Sequence, residues 1–215
     1  MKIGVFDSGM GGLSVARAIE RDLPEYEVLF RNDAKHVPYG SKTPEVLLGY
    51  VEPILQSLAD AGCEVVVVAC NTVSTTLIDQ LRGRISVPLI AMEPMVKPAA
   101  KMTKSGVIAV CATPTTLKSA RYAWLKQEYA KDIKVVEPDC RNWSRMIEAK
   151  KFDAALVQDE INDAIVLGAD VIVLGCTHYH WIQEEIKAIA GSRAQVIQPE
   201  PAIIKQLKTV ISKLS

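Results

Sequence analysis

The fold is decided by the stretch Gly62-Cys-Glu-Val-Val-Val-Val-Ala-Cys70-Asn-Thr72. Its four consecutive valines, Val65 to Val68, form a β-branched run with no polar alternation. Such a run is typical of a strand that is buried on both faces, as in a parallel sheet covered by helices. The run ends on small and reactive residues, so we expect Cys70 to lie where the strand opens into a loop. Open α/β sheets bind their ligands at this carboxyl edge.

A second copy of the pattern lies later in the chain, at Gly168-Ala-Asp-Val-Ile-Val-Leu-Gly-Cys176-Thr-His178. In both copies a glycine stands eight residues before the cysteine, and the aliphatic run falls between them. This weak internal repeat predicts two lobes that are related by approximate symmetry. The same symmetry would bring the thiols of Cys70 and Cys176 to face each other across a cleft.

Only two of the five cysteines are interpreted as functional. Cysteine is among the most buried residue types, and a cysteine inside an apolar strand usually fills the core. That interpretation is kept for Cys63, Cys111 and Cys140. Cys70 and Cys176 each follow an aliphatic run instead of lying within it, which favours a functional role.

The composition limits the classes of partner and the compartment. Lys plus Arg and Asp plus Glu each total 25, and there is no basic patch or RNA-binding motif, which argues against nucleic acid as a ligand. The five cysteines are an odd number in a chain too long to need disulfide staples, which indicates a reducing compartment. Asp7 interrupts the N-terminus before a signal-peptide core can form, and no apolar run approaches membrane-spanning length. We therefore expect a soluble cytoplasmic protein without nucleic-acid or membrane partners.

Strand and helix patterns alternate along the chain, which predicts an α/β protein built from two similar parallel-sheet lobes related by pseudo-symmetry. The strand at 87–94 has a proline near each end, and the chain is expected to cross between lobes there. The last helix, at 203–214, is expected to return to the first lobe. We predict a first lobe of residues 1–94 plus 202–215 and a second lobe of residues 95–201.

The coarse pattern also places the individual elements. Single continuous helices are expected just after Cys70, over 74–81, and again over 113–125. Further helices are predicted at 143–148, 153–167 and 182–189. The remaining strands are predicted at residues 2–6, 27–30, 65–68, 106–111, 133–136 and 196–197, and in the run before Cys176.

A glycine-rich turn follows the first strand and begins at Asp7-Ser8-Gly9. The dinucleotide-binding fingerprint fails there, because its third glycine position is Ser14. One interpretation is a turn that presents Asp7 and Ser8 with backbone amides free to hold a small carboxylate. The other is a tight strand-to-helix turn with no ligand, and the residues do not decide between the two.

Pro38-Tyr39-Gly40 is a second turn by composition. An aromatic side chain held in such a turn either covers a ligand or packs on the surface. Both interpretations of Tyr39 stay open from the residues alone.

Two opposed thiols suit the inversion of a stereocentre by proton exchange. This reaction needs a base on one face of the carbon and an acid on the other, and a thiolate and a thiol can exchange those parts when the reaction reverses. Pyridoxal phosphate often supplies the electron sink for amino-acid chemistry, but no sequence signal marks its Schiff-base lysine. We therefore predict chemistry without a cofactor or a metal.

Four groups of residues carry a family resemblance and appear in the right order along the chain. They are Phe6-Asp7-Ser8-Gly9 with Gly11-Gly12-Leu13-Ser14, Pro38-Tyr39-Gly40 with Lys42, Ala69-Cys70-Asn71-Thr72, and Gly175-Cys176-Thr177-His178-Tyr179. With these motifs the chain resembles the cofactor-independent glutamate racemases of the aspartate/glutamate racemase superfamily. The resemblance implies two α/β lobes with the substrate in the cleft between them, a homodimer, and supply of D-glutamate for peptidoglycan.

The resemblance also implies roles for individual residues. Cys70 and Cys176 would be the two acid/base groups, with Asp7 and His178 assisting them, and Glu148 would be a further catalytic residue. The substrate's carboxylates and ammonium would be held by Asp7, Ser8, Tyr39, Gly40, Asn71, Thr72, Thr116, Thr177 and His178.

Three alternatives remain open. The first is an aspartate racemase or another racemase of the same superfamily, although His178-Tyr179 favours glutamate. The sequence departs from the family pattern at His180-Trp181 and over 198–201, near the second cysteine in the expected fold. The second is a zinc site, although Cys176-Thr-His178 lacks the usual structural-zinc spacing. The third is a non-catalytic protein that binds a dicarboxylate.

Overall fold

The computed structural model of the chain describes residues 1–214, which form eight strands, eleven α-helices and two short 3₁₀ helices at Tyr39–Ser41 and Thr177–Ile182. In chain order the other elements are β1 (Lys2–Asp7), α1 (Leu13–Asp22), β2 (Glu27–Asn32), α2 (Pro44–Asp60), β3 (Val65–Val68), α3 (Asn71–Thr76), α4 (Ile78–Arg82), β4 (Leu89–Ala91), α5 (Val96–Met102), β5 (Val107–Ala112), α6 (Pro114–Leu117), α7 (Ala120–Tyr129), β6 (Lys134–Val136), α8 (Trp143–Glu148), α9 (Ala154–Val166), β7 (Val171–Gly175), α10 (Gln183–Ala190), β8 (Gln195–Ile197) and α11 (Glu200–Leu214).

The described chain divides into two compact units, one of residues 1–93 plus 199–214 and one of residues 94–198. Each unit contains a four-stranded sheet in which all pairs are parallel. The α/β class and the two similar parallel sheets predicted from the sequence are confirmed. No helix within residues 1–214 is both long and apolar enough to span a bilayer.

The first unit has the strand order β2-β1-β3-β4. The four valines of β3 are fully buried, because side chains of a strand alternate between its faces and both faces are covered. Val66 and Val68 pack with α2, α3 and α4, whereas Val65 and Val67 pack with α1 and α11. Strand β3, which lies within the stretch 62–72, is therefore buried on both faces, as its composition predicts.

The second unit has the equivalent order β6-β5-β7-β8. Ile172 and Leu174 of β7 pack with α8, α9 and α10, while Val171 and Val173 pack on the opposite face with α5 and α7. Gly168 ends the preceding helix with a φ of +101°, a conformation that glycine adopts without steric cost. The repeated glycine-to-cysteine pattern thus produces the same local path, from a helix end into a buried strand.

Two helices expected to be continuous are broken, and both expectations are wrong. The helix after Cys70 divides at Leu77 into α3 and α4, where φ reaches −126°. The hydroxyls of Thr75 and Thr76 donate to carbonyls one turn earlier, and such bonds are known to bend helices. The helix over 113–125 divides into α6 and α7, because the Ser119 side chain accepts a hydrogen bond from the amide of Tyr122 and caps a new helix.

Candidate active site

The first thiol lies at the carboxyl edge of the sheet in the first unit. Cys70 lies two residues after the end of β3, and the intervening Ala69 donates a backbone hydrogen bond to Phe6 of β1 at 2.8 Å. The ends of β1 and β3 therefore lie side by side, and Ser8 follows one as Cys70 follows the other. The Cys70 thiol donates to the Ser8 hydroxyl over 3.5 Å, and both side chains are buried. The structure thus brings together two residues that the sequence assigned to one site.

The Asp7 carboxylate organises the glycine-rich turn. It is fully buried, and one of its oxygens accepts hydrogen bonds from the amides of Gly9 at 3.3 Å and Gly12 at 2.9 Å. A side chain at position 12 would come within 2.4 Å of the Asp7 Cβ, so only glycine fits there. Of the two interpretations left open for this turn, the one in which its amides hold a substrate carboxylate is wrong for Gly9 and Gly12, because the protein's own carboxylate binds them.

Tyr39 is a buried residue of the first unit, so the interpretation that it packs on the surface is wrong. Its hydroxyl donates to Asp33 at 2.7 Å, and the same carboxylate contacts Nδ1 of His36 at 2.8 Å. Burial raises the pKa of the Tyr39 phenol strongly, and the hydrogen bond to Asp33 and the charge of Asp33 raise it further. The phenol is therefore a neutral donor at physiological pH. Gly40 follows it in the short 3₁₀ helix Tyr39–Ser41.

Asp33 is a candidate site residue that the sequence analysis missed. It follows β2 directly, so it lies at the same carboxyl edge as the residues that follow β1 and β3. A carboxylate three residues past the parallel strand predicted at 27–30 was the signal that could have identified it. Asp33 holds Tyr39 through the hydrogen bond given above.

Asn71 and Thr72 begin the helix α3 directly after the first thiol. Both are buried, and within residues 1–214 the amide nitrogen and oxygen of Asn71 have no hydrogen-bond partner. Buried polar groups are nearly always satisfied, so an unsatisfied amide beside a candidate acid/base thiol is a candidate for binding a ligand. The carbonyl of Thr72 accepts the hydroxyls of Thr75 and Thr76, which holds this helix turn in place.

The second thiol belongs to a chain of three groups within the second unit. Cys176 follows β7, and its sulfur lies 3.7 Å from Nδ1 of His178. The other ring nitrogen, Nε2, lies 2.6 Å from the Glu148 carboxylate. If Glu148 is ionised, the imidazole proton lies on Nε2 and the lone pair lies on Nδ1, the nitrogen that can accept the thiol proton. The structure therefore joins Cys176, His178 and Glu148 in one series of contacts.

Ser144 also lies beside the second thiol, and the sequence analysis missed it. Its hydroxyl is 3.5 Å from the Cys176 sulfur, and it is carried on α8 together with Glu148. The two residues are four apart, so they share one face of that helix. This spacing was the signal that could have identified Ser144, once Glu148 had been chosen as a site residue.

The two remaining candidates lie at the start of short helices in the second unit. Thr177 is buried and begins the 3₁₀ helix Thr177–Ile182. Thr116 is fully buried, and its hydroxyl accepts a hydrogen bond from Thr113 at 3.1 Å. Because β5 and β7 are paired, the loop that holds Thr113 and Thr116 leaves the sheet next to the loop that holds Cys176. Within residues 1–214, no group of three or more His, Cys, Asp or Glu side chains is arranged to hold a metal ion.

The sequence profile of the Asp/Glu/Hydantoin racemase family matches residues 3–207, nearly the whole chain. The chain belongs to this family. Within the family it is similar to the glutamate racemase of Stutzerimonas stutzeri, with 37% identity over 216 residues that cover 98% of this chain and 82% of the relative. The glutamate racemase of Pseudomonas aeruginosa is 40% identical over 215 residues and is covered to 81%.

A solved racemase shares the fold as well. The crystal structure of Escherichia coli glutamate racemase, in complex with L-glutamate and the activator UDP-MurNAc-Ala, superposes with a TM-score of 0.90. The identity is 28%, and the match covers 98% of this chain and 82% of that one. These comparisons bear out the resemblance that the sequence motifs indicate.

Proposed function

We propose that this protein is a glutamate racemase that needs no cofactor and interconverts L- and D-glutamate by proton transfer between two cysteines. The observation that carries the proposal is the equivalent placement of Cys70 and Cys176. Cys70 follows β3, which pairs with β1, and Cys176 follows β7, which pairs with β5. The sulfur of each cysteine also has a hydrogen-bonding partner. The similarity to glutamate racemases supports glutamate as the substrate.

The reaction uses both thiols on one substrate molecule. For the L enantiomer, the Cys176 thiolate removes the proton from the α-carbon, and the Cys70 thiol delivers a proton to the opposite face. The product is D-glutamate, with Cys176 now a thiol and Cys70 a thiolate. The reverse reaction exchanges these parts, so that Cys70 is the base for the D enantiomer.

Each thiol needs help to ionise. The reference pKa of cysteine is about 8.5, so only a few per cent is ionised near neutral pH. In the second unit, Nδ1 of His178 accepts the Cys176 proton and Glu148 stabilises the resulting imidazolium. In the first unit, Asp7 gives this assistance to Cys70.

The substrate is held by polar groups near the two thiols. Asn71 is the best supported, because its buried amide is unsatisfied and can both donate to a carboxylate and accept from an ammonium. The other proposed binding residues are Asp7, Ser8, Tyr39, Gly40, Thr72, Thr116, Thr177 and His178.

A chiral assay on L-glutamate and L-aspartate, run side by side without added cofactor, tests the substrate. We expect glutamate to be preferred by at least about tenfold in kcat/KM, which corresponds to about 1.4 kcal/mol of transition-state discrimination. An equal or better rate with aspartate would support the second candidate, an aspartate racemase. That candidate is motivated by the unusual turn at 198–201.

The same assay, repeated after exhaustive chelation, tests the zinc alternative. Activity is expected to survive chelation in full, because the proposed proton transfers use only side chains. A strict requirement for zinc would overturn the two-thiol mechanism. Binding of glutamate without any racemisation would instead support the non-catalytic alternative.

The cellular role and assembly belong to the same proposal. The enzyme is a cytoplasmic homodimer that supplies D-glutamate for peptidoglycan, and its two units are the two lobes that carry one thiol each. Light scattering on the purified protein tests the dimer, and a monomer at assay concentration would exclude it. Growth of a bacterial strain that requires D-glutamate, when it expresses this chain, tests the supply.

A further inference from the structure

The helix α8 presents two polar side chains to the motif that contains the second thiol. Glu148 contacts Nε2 of His178 at 2.6 Å, and Ser144, one turn earlier on the same face, lies 3.5 Å from the Cys176 sulfur. The sulfur therefore has two hydrogen-bonding neighbours, His178 and Ser144. The proposed mechanism gives a role to His178, which accepts the thiol proton, and to Glu148, which stabilises the imidazolium. It gives no role to Ser144.

The usual partner of a helical serine is already occupied. Serines within helices commonly bond to the carbonyl four residues earlier, which for Ser144 is the carbonyl of Cys140. That carbonyl accepts a hydrogen bond from the Tyr179 hydroxyl at 3.0 Å and another from the backbone of Trp143 at 3.1 Å. The side chain of Ser144 is directed to the sulfur of Cys176 instead.

We propose that Ser144 is a positioning residue that serves both protonation states of Cys176. When Cys176 is a thiolate, the serine hydroxyl donates to the sulfur, and hydrogen bonds to charged acceptors are the stronger ones. When Cys176 is a thiol, its S–H donates to the serine oxygen, and the serine proton turns away from the sulfur. A hydroxyl can rotate between these arrangements, whereas a backbone amide or a carbonyl cannot.

This inference rests on the proposed two-cysteine function, because only a residue that alternates between base and acid needs such a partner. Removing the hydroxyl raises the barrier for proton transfer at Cys176 and leaves transfer at Cys70 unchanged. For L-glutamate, the slowed step is the one that breaks the carbon–hydrogen bond. For D-glutamate, Cys70 breaks the carbon–hydrogen bond, and the slowed step is the later proton delivery by Cys176.

The test compares Ser144→Ala, Ser144→Thr and Arg145→Ala with the unaltered enzyme. Arg145 is the matched control, because it is the exposed neighbour on the same helix. We expect Ser144→Ala to lower kcat about tenfold, a loss equivalent to about 1.4 kcal/mol, with KM nearly unchanged. Ser144→Thr retains the hydroxyl and should recover most of the rate, and Arg145→Ala should match the unaltered enzyme.

The deciding readout is the primary isotope effect on kcat/KM with 2-deuterated substrates. In Ser144→Ala it should rise with L-glutamate and fall with D-glutamate, because only the step at Cys176 has become slower. A purely structural defect would slow both steps and leave the two isotope effects balanced. Balanced isotope effects, an unchanged kcat, or an equal loss in Arg145→Ala would each overturn the proposal.

A failure of the proposed function itself would look different. In that case the unaltered enzyme would not racemise glutamate, and no variant would be informative about Ser144. If the unaltered enzyme is active and Ser144→Ala behaves identically to it, the two-cysteine function stands and the role of Ser144 is rejected.

Discussion

Cys70 and Cys176 occupy equivalent places in two sheets of equivalent strand order, β2-β1-β3-β4 and β6-β5-β7-β8. Both thiols are nearly buried and follow a strand that is buried on both faces. Their partners differ, however. Cys70 donates to a hydroxyl from the neighbouring strand end, whereas Cys176 is next to a histidine from its own loop that contacts a glutamate on α8.

This difference shows which features follow from the repeated backbone and which do not. The strand pattern places a thiol at the carboxyl edge in each unit, since that placement depends only on where the aliphatic run ends. The groups proposed to assist each thiol come from loops and helices whose sequences are not repeated. We therefore expect the two halves of the reaction to respond differently to substitution.

The largest effect is expected from removing either thiol. Cys70→Ala and Cys176→Ala should each lower racemisation by about 10³-fold or more, because a proton-transfer group in the transition state is lost. Chiral assay of each variant measures this, with circular dichroism as the check that the fold is intact. A folded single variant with near-normal racemisation would contradict the equivalence of the two thiols.

The next largest effect should be confined to the second thiol. His178→Ala is expected to lower kcat about 10²-fold, because it removes the group that accepts the thiol proton and separates Cys176 from Glu148. Glu148→Gln should cost about tenfold, since it keeps the imidazole in place but cannot stabilise its charge. Steady-state kinetics in both directions measure these losses. The order of the losses would be reversed if Glu148, not His178, were the direct partner of the thiol.

A smaller effect is expected on the first thiol. Ser8→Ala removes the hydroxyl that accepts a hydrogen bond from the Cys70 thiol. It should lower kcat by less than about tenfold, because one neutral hydrogen bond contributes only about 1 kcal/mol. The isotope effect with 2-deuterated substrate should rise for D-glutamate and not for L-glutamate, the opposite of the pattern predicted for Ser144→Ala. The same direction in both variants would show that the two thiols are not separate bases.

The smallest effect concerns stability and compares the buried tyrosines beside the two thiols. Tyr39→Phe and Tyr179→Phe each remove a buried hydrogen bond and should lower the free energy of unfolding by about 1 kcal/mol. The pKa of each phenol is raised above the ordinary value of 10.0 in the folded state. Each tyrosine therefore contributes its full stability below pH 10.0. The contribution is lost as the pH rises further, because the tyrosine then ionises in the unfolded chain while it is still neutral in the folded protein.

Urea unfolding at pH 8 and above pH 10 measures this linkage. The unaltered protein should lose stability more steeply with rising pH than either phenylalanine variant. Equal slopes for all three proteins would contradict the raised pKa values of Tyr39 and Tyr179.

Much of the fold could be predicted because it depends on local composition. The valine run over Val65–Val68 has no amphipathic alternative and had to be buried on both faces, as the structure confirms. The helix breaks at Leu77 and Ser119 were missed, because they depend on side-chain hydrogen bonds that compete with helix continuation. Asp33 and Ser144 were missed for another reason. Neither belongs to a motif with a cysteine. Asp33 gains its role through the Tyr39 hydroxyl, and Ser144 gains its role through a thiol thirty-two residues away.

The sequence by itself determined where the thiols would lie, because an aliphatic strand ends at a given residue whatever surrounds it. Tertiary structure alone decided which groups reach each sulfur. Asp7 illustrates this: the residues left open whether the amides of its turn would hold a ligand, and in the structure the Asp7 carboxylate binds the amides of Gly9 and Gly12 itself. Hydrogen bonds act over about 3 Å and depend on direction, so they are specified only when separate segments are packed together.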